Sequence, residues 1–144
     1  MQNFPHHYQV TASGGVEGNI AVTSAGLPNL QTDSPPEFDG PPGFWSPETL
    51  LTAAVANCFI LTFRAVARAS KLEWNQIECK AFGILDRIER VTRFTEMQIT
   101  VKLHLPAGSD VERANRIIEK SEQACLITNS LNAKIVLEAE VVSA

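Results

Sequence analysis

No lysine or arginine occurs before Arg64, although the 144-residue chain carries twelve of them. Nearly half of the sequence therefore has no cation, and with a formal net charge of −4 the chain has no electrostatic footprint for nucleic acid. The N-terminal Met-Gln-Asn-Phe-Pro-His-His-Tyr lacks both a basic n-region and an apolar h-region. It does not read as a secretory signal, and the expected location is the cytoplasm. Cysteine is scarce as well: three residues, Cys58, Cys79 and Cys125, an odd and widely spaced set, which in a reducing compartment excludes a structural disulfide framework. Neither a Cys-x-x-Cys pair nor His-Glu-x-x-His is present, and the three histidines keep no metal-ligand spacing with the cysteines, so no metal or other cofactor is expected.

The last scarcity is local. From Thr49 to Phe63 no charged side chain appears on any face, which excludes an ordinary amphipathic surface helix and predicts one buried all round. Its start is well marked. Ser46 suits an N-cap, Pro47 the first helical position, and Glu48 puts a carboxylate at the positive end of the helix dipole. The uncharged run, interrupted by Thr52, Asn57 and Thr62, falls short of the roughly 20 apolar residues that span a bilayer, so no membrane association is expected. Cys58 sits in the middle of this helix. A free cysteine in such a place behaves as a small buried hydrophobe, unless the rest of the chain supplies a reason for reactivity.

What surrounds the helix reads as an α+β domain over residues 1–144, with no internal repeat and no boundary. Tyr8–Ser13 and Val16–Thr23 flank Gly14-Gly15, a dipeptide suited to a two-residue hairpin turn, and a short strand over Leu27–Thr32 follows. Residues Asp33–Ser46 hold four prolines and two glycines and read as a long loop whose Phe38, Phe44 and Trp45 either line a pocket or anchor the loop. After the helix, Trp74–Arg90 and Val91–Leu105 read as a long hairpin. Met97, Ile99, Val101, Leu103 and Leu105 alternate with Gln98, Thr100, Lys102 and His104, whose face is expected to be wet. Cys79 shares the parity of Ile77 and Ala81 and reads as a small core residue. Ser109 or Asp110 caps a second, amphipathic helix with Val111, Ala114, Ile118, Ser121 and Cys125 on its inner face. A last strand over Ala133–Val142 closes the chain.

Two helices with apolar inner faces in one small domain pack on each other or on the same sheet, so the periodicity permits Cys58 and Cys125 to approach without requiring it. A buried thiol has its pKa raised and needs a cationic neighbour or a hydrogen-bond donor to act as a nucleophile at neutral pH. Arg64 and Arg68 lie roughly 9 and 15 Å further along the helix at the usual rise per residue and are poorly placed for that task.

Ser46-Pro-Glu-Thr-Leu-Leu-Thr-Ala-Ala-Val-Ala-Asn-Cys58-Phe resembles the central-helix motif of the OsmC/Ohr family, the osmotically inducible and organic hydroperoxide resistance proteins. Ser121-Glu-Gln-Ala-Cys125-Leu-Ile-Thr-Asn-Ser-Leu131 is similar to that family's second cysteine segment, and the order of elements agrees over nearly the whole chain. The resemblance implies an intertwined homodimer of α+β subunits, with antiparallel sheets around the buried central helix and active sites at the subunit interface. It implies a thiol peroxidase acting on organic hydroperoxides, in which Cys58 becomes a sulfenate, Cys125 resolves it as a disulfide, and an external dithiol, of lipoyl type by analogy, restores both thiols. Glu48 matches the glutamate of the family's site.

Two positions depart from the pattern. The family carries an arginine either just after the first hairpin glycines or in the loop before the central helix, where it pairs with the glutamate and helps to hold the thiolate. Here those places read Gly14-Gly15-Val16-Glu17-Gly18 and Pro36-Glu37-Phe38-Asp39-Gly40. Leu126 stands where many relatives have proline after the second cysteine. The missing arginine gives a rival reading its ground: a non-enzymatic member that binds a small apolar ligand or senses oxidants through the same pocket.

Overall fold

The computed structural model describes residues Met1–Ala144, which fall into two compact units, Met1–Leu50 and Leu51–Ala144. The first holds a three-stranded antiparallel sheet in the order β1 (Thr11–Ser13), β2 (Ile20–Thr23), β3 (Leu30–Thr32). Pairing of β1 with β2 begins at Ser13 opposite Ala21, so the link is longer than the two-residue turn expected at Gly14-Gly15. Such a turn needs positive φ at its centre, and in this link that conformation is taken by Gly18 (φ 92°) instead.

The proline-rich loop makes one 3-10 turn over Pro36–Phe38, closed by Asp39 at φ 61°. A side chain at Gly40 would collide with the Ser34 carbonyl, which fixes glycine there. The loop returns beside β3, where the Asp33 N–H donates to the Trp45 carbonyl at 3.1 Å and Trp45 bridges Thr32 in parallel. Phe38, Phe44 and Trp45 all remain exposed.

Helix α1 runs Pro47–Ala69. Its start is a reciprocal cap: the Thr49 N–H donates to Ser46 Oγ at 3.1 Å, and the Ser46 N–H donates to Thr49 Oγ1 at 2.8 Å. Threonine here does the work of the usual Glu or Gln in a capping box. The expectation of burial all round does not hold within one chain. Val55, Phe59, Phe63 and Ala67, a row of four-residue steps, are fully buried, whereas Leu61 is 52% exposed. A small sheet covers one side of a helix, and the absence of charge elsewhere on α1 does not say what covers the rest. At 23 residues, with an 18-residue window of mean hydropathy 1.8, α1 is long and apolar enough to cross a membrane by length and composition alone. The Val55–Ala67 row is instead seated in the protein core, as a core helix seats its inner stripe.

The second unit is built on a sheet in the order β4 (Gln76–Ile88), β5 (Val91–Leu105), β6 (Lys134–Ser143). β4 and β5 form the expected hairpin through Glu89 (φ 50°) and Arg90 (φ 70°), a two-residue turn with both centres left-handed, which matches the twist of the strands it joins. β5 is central. Its inner face of Met97, Ile99, Val101, Leu103 and Leu105 is buried with the α1 row and with Ala114, Ile117 and Ile118 of α2 (Val111–Ala124). Trp74 meets Phe63 edge-on at 5.4 Å between ring centres. His104, expected on a wet face, is half-buried, flanked by Gln76 on β4 and Val142 on β6.

The last strand departs from all-antiparallel pairing: β6 lies parallel to β5, from Glu96 opposite Lys134 to Leu105 opposite Ser143. The helical crossover between them explains the direction, since α2 and α3 (Leu126–Asn129) carry the chain back to the end of the sheet where β5 began. α2 starts at Asp110, whose Oδ1 accepts the Arg113 N–H at 3.0 Å. It stops at Ala124, short of the Thr128 to which its apolar spacing would carry it.

Candidate active site

The break between α2 and α3 makes the site. Cys125 is fully buried there in an extended conformation, φ −68° and ψ 110°, closing one helix and opening the next. Its N–H donates back to the Glu122 carbonyl at 3.1 Å, and its carbonyl accepts from the Asn129 N–H at 3.0 Å and from Thr128 Oγ1 at 3.2 Å. The first N–H groups of any helix have no partner within it. At α3 those of Leu126 and Ile127 reach the sulfur of Cys58 on α1.

Cys58 is half-buried, with Thr62 Oγ1 3.8 Å from its Sγ. Burial pushes its thiol up, but four hydrogen bonds outweigh burial: the Ile127 N–H first, then the Cys125 thiol, the Thr62 hydroxyl and the Leu126 N–H. The Cys58 thiol ends below its ordinary value, and none of the groups that lower it is a cation. Cys125 moves the other way. Burial raises it foremost, the N–H and hydroxyl of Thr128 pull it down, and the bond it donates to Cys58 and the negative charge there push it up again. One thiol is thus held towards the thiolate and its neighbour towards the protonated form. Cys79, on β4 opposite Val101, is pushed up to about 11, by burial first and then by charge on Cys125.

The structure therefore brings Cys58 and Cys125 together, and it meets the lack of a nearby arginine with backbone donors. Arg64 and Arg68 are exposed on α1. Glu48 occupies the first turn of α1, half-buried. No group of three or more His, Cys, Asp or Glu side chains converges to hold a metal ion. Sequence reasoning missed the N–H groups of Leu126 and Ile127, because backbone donors leave no residue signature. The placement of Thr62 one helical turn beyond Cys58 was available in the spacing.

An α+β chain whose central helix presents a thiol polarised by a second thiol at a helix break is a cysteine-centred protein. The chain belongs to the OsmC family: residues 40–140 match the family described as OsmC-like protein. It is 27% identical over 148 residues to the uncharacterized protein YmaD of Bacillus subtilis, covering 94% of this chain and 93% of that relative. It is 24% identical over 127 residues to the peroxiredoxin OsmC of Escherichia coli, covering 88% of this chain and 87% of that one. The solved structure of an organic hydroperoxide resistance protein from Elizabethkingia anophelis shares the fold with a TM-score of 0.80 at 23% identity, covering 99% of this chain and 100% of that chain.

Proposed function

We propose that this protein is a cysteine-based peroxidase of organic hydroperoxides, with Cys58 as the attacking thiolate and Cys125 as the resolving thiol. One observation carries the reading: the two thiols are neighbours shifted in opposite directions, Cys58 down and Cys125 up. The names of the Escherichia coli peroxiredoxin and the Elizabethkingia hydroperoxide resistance protein support the same chemistry. The Cys58 thiolate attacks the outer oxygen of the hydroperoxide, the O–O bond breaks, and the alkoxide leaves and takes a proton as an alcohol. Cys58 is now a sulfenic acid. Cys125 attacks its sulfur, loses its proton and expels hydroxide, which leaves as water, and the disulfide joins α1 to the α2–α3 break. An external dithiol reduces that disulfide by two exchanges and is itself oxidised.

In this reading Glu48 supports the site from the start of α1. A second copy of the chain covers the apolar side of α1 that one chain leaves open around Leu61, and the homodimer works in the cytoplasm. The deciding experiment follows consumption of cumene hydroperoxide by the purified protein with dihydrolipoate as reductant. Wild type consumes the peroxide, Cys58→Ser does not, and Cys125→Ser makes a single turnover and stalls. No consumption by wild type, or equal consumption by Cys58→Ser, overturns the reading.

A further inference from the structure

Thr62 stands four residues after Cys58 on α1. A helical threonine or serine at that spacing ordinarily turns its hydroxyl onto the carbonyl of the residue one turn back. This chain does so in α2, where Ser121 Oγ donates to the Ile117 carbonyl at 2.7 Å, and again just past the end of α3, where Ser130 Oγ donates to the Leu126 carbonyl at 2.8 Å. Thr62 differs. Its hydroxyl lies 3.8 Å from the sulfur of Cys58, the side chain of the residue whose carbonyl would be the usual partner.

Helical side chains lean towards the N-terminal end, so a residue at this position covers the turn that holds Cys58. Its branched Cβ limits the side chain to few rotamers, which fixes the hydroxyl with little entropy left to lose. While Cys58 carries its proton, either group can donate. Once the sulfur is a thiolate it has no proton, and the hydroxyl must donate, so the contact favours the charged form.

We propose that the Thr62 hydroxyl is a side-chain donor that, beside the Cys125 thiol, holds the Cys58 sulfur as a nucleophile, and that with the backbone donors it takes over in this chain the task of a cationic side chain. The proposal deepens the peroxidase reading by naming a further residue of that site. Its test needs no peroxide: the rate of Cys58 alkylation by iodoacetamide is followed across pH by peptide mass spectrometry. Thr62→Val keeps the shape and removes the hydroxyl. It moves the Cys58 midpoint to higher pH and slows alkylation at pH 7 about three- to tenfold. Thr62→Ser keeps the donor and stays within about twofold of wild type, and Thr62→Ala, with high helix propensity, repeats the valine shift.

A wild-type profile in both Thr62→Val and Thr62→Ala overturns the proposal, and so does a serine variant that slows as far as valine. If the profiles move as expected while wild type consumes no hydroperoxide, the peroxidase reading fails and the assignment of Thr62 stands.

Discussion

Cys58 donates nothing when ionised, and Cys125, whose thiol still carries its proton, donates to it across the gap between α1 and the α2–α3 break. Each residue thereby shifts the other, because a bond that stabilises the Cys58 thiolate costs Cys125 its own ionisation. The asymmetry predicts the order of labelling. At pH 7 a limiting dose of iodoacetamide marks Cys58 ahead of Cys125 and Cys79, and Cys79 titrates last, near the value of about 11 that burial gives it. Mass spectrometry of the labelled peptides reads the order, and labelling of Cys125 ahead of Cys58 contradicts the asymmetry.

Leu126 tests the backbone contribution. Proline there removes one of the N–H groups that face Cys58. The backbone tolerates the change, since proline suits the first position of a helix and Cys125, at ψ 110°, already has the extended conformation that a residue before proline adopts. Leu126→Pro raises the alkylation midpoint of Cys58 while the unfolding free energy from urea titration stays within about 0.5 kcal/mol of wild type. A midpoint that stays put or falls shows that the Leu126 N–H does not serve the thiolate.

Side-chain chemistry wrote much of this fold into the sequence. Ser46-Pro47 marked the start of α1 to the residue, the alternation from Met97 to Leu105 gave the inner face of β5, and the α2 cap was narrowed to two residues, of which Asp110 is the one. What stayed illegible depends on backbone direction and on neighbours far along the chain. Alternation in β6 names its inner face but not whether it runs with or against β5. The break at Cys125 contains neither glycine nor proline, so the apolar period of α2 runs on through Thr128 although the helix does not. The cysteines were visible as candidates, whereas two of the donors that make Cys58 acidic are amide groups, which every residue but proline carries.

Cys79 gives the protein an alkaline weakness. Its folded pKa is raised to about 11, above the roughly 8.5 of an unfolded cysteine. The stability its neutral form contributes is present below the unfolded value and is lost as pH rises through the folded one. Wild-type urea midpoints therefore fall between about pH 8.5 and 11 more steeply than those of Cys79→Ala. The alanine variant starts lower at pH 7, because it leaves a gap beside the core. Parallel slopes for the two proteins would remove Cys79 as the cause.

Phe59 and Leu61 allow the role of α1 inside one chain to be tested apart from the proposed contact between chains. Phe59 is fully buried in the core and Leu61 is 52% exposed, although both belong to the same uncharged stretch. Phe59→Ala lowers the unfolding free energy by about 3–5 kcal/mol through lost burial and the cavity left behind. Leu61→Glu removes nothing from that core, so it leaves the fold of a single chain in place. If a second copy covers the open side of α1, the glutamate has to be desolvated at the contact, and assembly weakens. Light scattering then gives a wild-type mass twice the 15.7 kDa of the chain and a variant mass near 15.7 kDa, with the far-ultraviolet spectrum unchanged. A wild type that already runs as a single chain refutes the dimer. A variant that stays double places the contact on another face, because an apolar helix side with a buried carboxylate at its centre does not hold two chains together.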